Sequence, residues 1–335
     1  MWLKDERCEG VIKKAWSGRI LGELVDRLIQ KVDTCKSSLQ TWSRTSFGNI
    51  CRLLTQKKKQ LAQAEAMSMA GDHHDQICVL RSEGYELMVK EECLWHQRSR
   101  VDWLKSGDMN MSYFHSQATQ RNKRNFISKL NLNDGSVVIG DKQIGEAMVD
   151  YFKQIFTSTM PSSFDQILQG IDTKVTPTMN ADLTREFTAD EVEFALKQMK
   201  PLTALGPNSM SPIFFKSCWN FIGHDVIDAS LAILNSGNMP VSLSHTYISL
   251  IPKIKSPEKA TNFRPISLCN VLYKIVSKTI ANRLKKLLPK LVSESQSAFM
   301  SDRLISDNIL VAFETLHHLK TKKKGKPDTW SLSSI

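Results

Sequence analysis

The chain has 335 residues, 41% of them hydrophobic and 24% charged, a composition that excludes a wholly disordered polypeptide. No apolar run approaches the roughly 20 residues a bilayer-spanning helix needs, and residues 1–10 lack the apolar region of a signal peptide. The net charge of +11 is unevenly spread: residues 1–130 carry 22 basic and 15 acidic groups, residues 131–250 carry 7 and 13, and residues 251–335 carry 16 and 6. Two basic ends around an acidic middle point toward phosphate-bearing partners more than toward solubility alone.

From about residue 11 to 100 the pattern is helical, with little Gly or Pro. Leu21, Leu24, Leu28, Val32, Cys35, Leu39 and Trp42 recur at three- and four-residue steps, an amphipathic face. Ile50, Leu53, Leu54, Leu61 and Ala64 continue it after Ser46-Phe47-Gly48, and the two stretches are expected to pair as an antiparallel hairpin. Lys57, Lys58 and Lys59 are read as solvated. The Gly71-Asp72-His73-His74-Asp75 cluster reads as a turn, because adjacent His side chains diverge on either helix or strand and do not converge on a metal. A third helix is expected from Tyr85 to Trp103. Asn133-Asp134-Gly135 between apolar triplets signals a β-hairpin, since Asp-Gly tolerates positive φ. A Ser-, Thr- and Pro-rich stretch near 157–180 marks a boundary between parts.

Further on, Thr188 with Glu191 forms a capping box ahead of Val192, Ala195, Leu196 and Met199, and Pro201 ends that helix. Ser211-Pro212 opens another helix. Tyr247 to Ile251 reads as a short buried strand ended by Pro252. Leu272, Ile275, Val276, Ile280, Leu284, Leu287 and Leu288 define a helix expected to stop at Pro289, with Lys274, Lys278 and Lys285 as a cationic stripe. A last helix over about 303–319 buries Ile305, Ile309, Phe313 and Leu316. The seven Cys are scattered without a CxxC pair, so reduced thiols are expected, with no zinc framework and no disulfide-linked partner. The expectation is a non-secreted intracellular chain, in nucleus or cytoplasm, that touches no membrane.

Several ordered blocks carry a family resemblance. They are Ile251-Pro252-Lys253, then Asn262-Phe263-Arg264-Pro265-Ile266-Ser267-Leu268, Ala281-Asn282-Arg283-Leu284, Gln296 to Phe299, and Arg303 with Asp307-Asn308. Together they closely resemble the fingers of reverse transcriptases from plant LINE-type (non-LTR) retrotransposons. Upstream, Trp95 to Asp108 and Tyr113-Phe114-His115 resemble the same family's connector between endonuclease and polymerase. Ordered blocks at compatible spacing are far more specific than a lone short motif. The implied fold is mainly α with a small β component: a helical connector over 1–160, a linker over 161–180, partial fingers of a right-hand polymerase over 181–326 and a divergent tail over 327–335.

The resemblance implies RNA, and second DNA, as partners. Lys253 and Arg264 become triphosphate-gripping residues, a point charge and a bidentate fork. Pro265 favours extended backbone at Arg264, as a β-hairpin requires; a solvated strand-end Lys253 is the plainer alternative. Gln296, Phe299 and Arg303 resemble the template-and-primer block, with Phe299 either stacking on bases or part of the core. Arg98, Arg100, Arg121, Lys123 and Arg124 form basic clusters among Trp95, Trp103, Tyr113, Phe114 and Phe126, a composition suited to RNA, although Trp95 and Trp103 read as core. Lys274, Lys278 and Arg283 complete the nucleic-acid set.

The intact family joins nucleotides with Mg²⁺ held by paired Asp carboxylates, in a strand after the Lys-rich linker and in a Tyr-x-Asp-Asp turn. This sequence contains no Tyr-x-Asp-Asp, and Asp328 does not align with the family's strand. No catalytic residue or cofactor is therefore assigned, and the expectation is a truncated reverse transcriptase-like protein, inert alone. A non-enzymatic RNA- or DNA-binding protein and a helical interaction protein using residues 15–100 are the competing classes. Two departures are local: Gly206-Pro207-Asn208-Ser209 replaces the usual Gly-Pro-Asp-Gly, and Ser301-Asp302 replaces the usual Pro-Gly before Arg303. The glycine lost at Ser209 puts a turn needing positive φ in doubt, and Asp302 sets a carboxylate beside Arg303 that would compete with phosphate for the guanidinium.

Overall fold

The computed structural model describes residues 2–67, 74–99, 111–160, 164, 168–170, 172–294, 296–298 and 300–321. It is mainly helical with two small antiparallel hairpins, the composition of elements expected. Contacts divide the chain into one unit of residues 1–161 with 187–276 and a second of 162–186 with 277–335. That grouping differs from a linear division at 161–180, because the helices on either side of that stretch share one core.

The core of the first unit begins with α1 (Glu6–Trp16) and α2 (Leu24–Ser46). Asp5 caps α1, its carboxylate accepting the Arg7 N–H at 3.0 Å, which holds the Asp5 carboxyl below its ordinary range, chiefly through the Arg7 side chain. Cys8, Ile12 and Trp16 lie four residues apart and share a buried face, against which α2 sets Leu28, Val32, Cys35 and Leu39. Further along the chain α3 (Ile50–Met67), α4 (His74–Ser99) and α5 (Met111–Asn125) follow.

The expected hairpin of the first two long stretches does not form: α3 packs along α4, and α4 along α5. The apolar stripe of α2 is already covered by α1 and by a helix much later in the chain. Leu61 and Ala64 of α3 therefore meet Ile77 and Leu80 of α4. Cross-helix ion pairs join Arg81 to Glu65 at 2.7 Å and Lys57 to Glu83, so Lys57 is partnered rather than merely solvated. The helix expected at Tyr85–Trp103 starts earlier, at His74, and its described part ends at Ser99; Trp103 lies outside the described residues, as do Gly71 to His73.

The Asp134-Gly135 signal is realised as β1 (Lys129–Asn131) against β2 (Val137–Ile139), in antiparallel register with Leu130 opposite Val138. Gly135 has φ +86°, and Asp134 Oδ1 accepts from the Ser136 N–H at 2.9 Å, an Asx turn. α6 (Asp141–Phe156) follows and packs Ile144, Met148 and Phe152 on Leu130.

α7 (Pro177–Thr184) is followed by α8 (Ala189–Gln198), which starts at the expected capping box, the Glu191 carboxylate accepting the Thr188 N–H at 3.1 Å. Pro212 sits in the first turn of α9 (Pro212–Ser217), and α10 (Trp219–Ser236) completes the core with Ile222, Val226 and Ala229 fully buried. Ile222 and Val226 each contribute about 1.5–3 kcal/mol of burial. Asp225 of α10 ties this helix back to α1 and α2, accepting from Trp16 Nε1 and Lys31 Nζ, each at 2.7 Å.

After the short α11 (Val241–Ser244), β3 (Tyr247–Pro252) pairs with β4 (Phe263–Leu268). β3 is a strand as expected but not a buried one, since Tyr247, Ile248 and Ile251 are exposed. A two-stranded ribbon has no second sheet layer to cover its outer face.

The long α12 (Val271–Leu291) buries Val271, Leu272, Ile275 and Val276 in the first unit's core. It runs through Pro289 rather than stopping there. A proline near a helix end removes only the N–H that would reach the carbonyl four residues back, and Val292 N–H still bonds Leu288 O at 2.9 Å. In the second unit, α13 (Ile305–Thr321) has no buried residue, so Ile305, Ile309, Phe313 and Leu316 are exposed where a core face was expected.

The Gly206–Ser209 turn keeps its shape without its second glycine. Ser209 adopts φ +56° and donates its N–H to Gly206 O at 2.9 Å. Gly206 itself is irreplaceable in a simple sense: a Cβ there would lie 2.5 Å from the backbone of Cys269. Asp302, at the other lost glycine, also sits at positive φ, +63°. Both non-glycine residues hold a conformation that costs about 1–2 kcal/mol for an L-residue.

Candidate nucleic-acid interface

The β3–β4 hairpin places Lys253 and Arg264 on one face. Ile251 is directly opposite Arg264, and the Lys253 N–H continues the ladder to Asn262 O at 2.8 Å. Side chains alternate along a strand, so Lys253, Ile251 and Arg264 point to the same side, with the two cations diagonal neighbours roughly 7–8 Å apart at Cβ. The opposite side carries Leu250 and Phe263, which join Leu130, Ile144, Met148 and Phe152 in a second hydrophobic cluster. Burial of one face therefore forces the cationic face outward.

The two cations are not equivalent. Lys253 Nζ folds back to Thr261 O at 2.9 Å, bracing the tip. Arg264 is exposed, and its guanidinium makes no hydrogen bond or ion pair among the described residues. The tip is further held from outside: Glu258 pairs with Lys129 at 3.0 Å, and the Asn131 N–H donates to Glu258 O at 2.7 Å. The Lys129 ammonium, mainly through its hydrogen bond, holds the Glu258 carboxyl below its ordinary range. Lys255 and Lys259, also exposed in the tip, were not singled out in the sequence; the run of three Lys in seven residues from 253 to 259 was the available signal.

α5 packs against β3 in the same unit. At its C-terminal end Arg121, Lys123 and Arg124 are exposed and unpaired among the described residues. The interleaved aromatics separate sharply: Phe114 is buried, Tyr113 half-buried, and Phe126 is 66% exposed. Arg98 is exposed and lies over the Trp95 ring, 5.0 Å from its centroid, while Trp95 stacks on His115 at 3.7 Å. Trp95 is thus half-buried in the α4–α5 packing, consistent with a core role. Arg100 lies outside the described residues.

Helix α12 uses its cations structurally. Lys274 is half-buried and donates to Ala204 O at 3.2 Å; burial pushes its ammonium below the ordinary lysine range. The expected stripe is therefore interrupted at Lys274, while Lys278 is half-buried and Lys285 exposed. In the second unit Arg283 is 5% exposed, its guanidinium donating to Leu183 O at 3.0 Å, to Glu186 O at 2.7 Å and to Arg185 O. These are carbonyls at the C-terminal end of α7, which need donors and attract a cation. Arg283 thus serves as a helix cap, its guanidinium engaged by protein carbonyls. Arg303 likewise donates to Gln296 O at 2.9 Å and to Ser293 O, closing the loop after α12. The exposed Gln296 bonds Ala298 O at 3.3 Å, and Phe299 lies outside the described residues.

Among the described residues no group of three His, Cys, Asp or Glu side chains converges as a metal site. Nor, among them, is any helix long and apolar enough to cross a membrane. Cys35 and Cys218 are buried with thiols pushed by burial to about 11 and about 12, which keeps them protonated and inert.

Comparisons with known proteins bear on the same segment. Residues 251–332 match the family model for reverse transcriptase (RNA-dependent DNA polymerase). The chain is similar to the Transposon TX1 uncharacterized 149 kDa protein of Xenopus laevis, 27% identical over 222 residues, covering 66% of this chain and 17% of that protein. It is also similar to the retrovirus-related Pol polyprotein from type-2 retrotransposable element R2DM of Drosophila melanogaster, 25% identical over 191 residues, 57% of this chain and 17% of that one. The chain spans about a sixth of the length of these relatives.

Proposed function

We propose that this reverse transcriptase-like chain, of non-LTR retrotransposon kind, binds RNA through the outer face of the β3–β4 hairpin and the adjoining end of α5. The observation that carries the reading is Arg264: exposed, unpaired among the described residues, and held outward by a hairpin whose other face is buried. A guanidinium in that position offers a planar fork to a phosphate of a strand or of an incoming triphosphate. Lys253, whose ammonium already braces the tip, contributes charge nearby. The blocks from Asn262 to Asp307 support the finer assignment to the plant LINE type, and an RNA-bound role suits nucleus or cytoplasm.

Nucleotidyl transfer is not part of the proposal for this chain. Two-metal chemistry needs paired carboxylates on Mg²⁺, and among the described residues no group of three or more His, Cys, Asp or Glu side chains converges as a metal site. Charge and hydrogen-bond donors without them bind and position phosphate but do not activate a nucleophile.

Two measurements test this. RNA affinity as a function of salt should fall with a log–log slope of about −0.7 for each phosphate neutralised; a slope near zero would sink the binding reading. Primer extension with Mg²⁺ should show no incorporation, and any templated product would overturn the claim that the chain is inert.

A further inference from the structure

We infer that Phe126 is a base-stacking platform that makes this surface select single-stranded over duplex nucleic acid. The inference rests on the proposed binding of nucleic acid and names the form of strand bound.

No Asp or Glu occurs between Met111 and Asn133, so the whole of α5 and the first strand beyond it are free of acidic side chains. Lys123 and Arg124 lie in the last turn of α5 and Arg121 just before it, all exposed. The helix dipole accounts for cations at a C-terminus. It does not account for a large aromatic left 66% exposed beside them.

Local geometry explains how that exposure is held. The Phe126 N–H donates to Asn122 O at 3.0 Å, the last bond of the helix, and the chain then leaves the helical path toward β1. The next residue, Ile127, packs into the cluster that contains Leu250 and Phe263 of the hairpin. Anchoring Ile127 inward leaves Phe126 exposed, two residues after Arg124. Cations close in sequence to an exposed ring, with no carboxylate along α5, match the arrangement by which single strands are gripped. Phosphates meet the charges while an unpaired base covers the ring. A duplex keeps its bases stacked inside and meets only the charges.

The test uses the whole chain with a labelled 12-nucleotide single-stranded RNA and the same sequence as a blunt duplex, plus a version of the single strand carrying 2-aminopurine. Phe126→Ala should weaken the single strand by about 5- to 150-fold, the equivalent of losing one stacked base. It should leave duplex affinity within about twofold and the salt slope unchanged, since no charge is removed. Quenching of 2-aminopurine on binding should disappear in Phe126→Ala and return in Phe126→Tyr. Equal losses for both RNAs, or a change under twofold for the single strand, would overturn the inference. If Arg264→Ala still weakens binding in that event, the nucleic-acid reading survives alone. Absence of salt-dependent binding by the unaltered chain overturns both.

Discussion

Arg264 and Arg283 are the same side chain in opposite circumstances. On the ribbon of the first unit, Arg264 has strand neighbours whose backbone groups already satisfy one another, so its guanidinium finds no carbonyl and faces solvent. On α12 in the second unit, Arg283 faces the frayed end of α7, whose last carbonyls lack helical partners, and it is drawn in as a cap. A ribbon exports a cation and a helix terminus consumes one. Residue type therefore says little about which arginines remain available for phosphate.

The sharpest way to break this comparison is to remove each arginine and read stability and binding together. Arg283→Met should destabilise by about 2–4 kcal/mol in denaturant unfolding, because the buried guanidinium's hydrogen bonds to the carbonyls at the end of α7 are lost. RNA affinity of the protein that remains folded should not change; a loss of affinity at full stability would place Arg283 in the interface after all. Gly206→Ala should cost about 1–3 kcal/mol, since the new methyl meets Cys269 backbone that has no flexible end to yield. Wild-type stability in that variant would mean the turn has more room than its geometry shows.

Arg264→Ala should leave stability within about 0.5 kcal/mol, the usual range for an exposed residue away from special contacts. It should weaken RNA binding severalfold and lower the salt slope by about 0.7. Arg264→Lys keeps the charge and loses the fork, so it should preserve the slope while reducing affinity less. The smallest effects should come from Ser209→Gly and Asp302→Gly, each stabilising by about 1 kcal/mol as left-handed strain is relieved. Unchanged melting in both would argue that hydrogen bonds of the native side chains offset the strain.

Glu258 supplies a pH test of the ribbon's outer support. Its carboxyl is held below the ordinary range by Lys129, so the stability it contributes is present above the unfolded-state value near 4.5. It is lost as pH falls through the depressed value. Amide exchange at Asn131, whose N–H bonds Glu258 O, should therefore rise only at acid pH, and Glu258→Gln should remove that pH dependence.

Local features were readable because their causes are local. The capping box at Thr188 and Glu191, the turn at Asp134-Gly135 and the start of α9 at Pro212 each depend on residues within a few positions. Even the glycine lost at Ser209 was informative, since that residue carries positive φ, whereas the positive φ of Asp302 was not foreseen. The pairing of α3 with α4 was not readable, because the amphipathic face of α2 fits several partners and α10, almost two hundred residues away, claims it. For the site, Pro265 pointed to extended hairpin backbone at Arg264, and β4 has it, with Lys253 one residue beyond β3. The sequence could not tell Phe126 from Phe114, one exposed and one buried only a dozen residues apart.

Charge, helical periodicity, the capping and turn chemistry and the blocks from Ile251 onward were written in the order of residues, since each depends on spacing alone. Which cation faces water, which aromatic stays bare and which helix covers which depended on distant surfaces competing for the same apolar stripe or the same unsatisfied carbonyl. Burial and hydrogen bonding are settled between partners, and the partners of Arg283, Asp225 and Glu258 lie some 97 to 209 residues away at the furthest ends of these contacts.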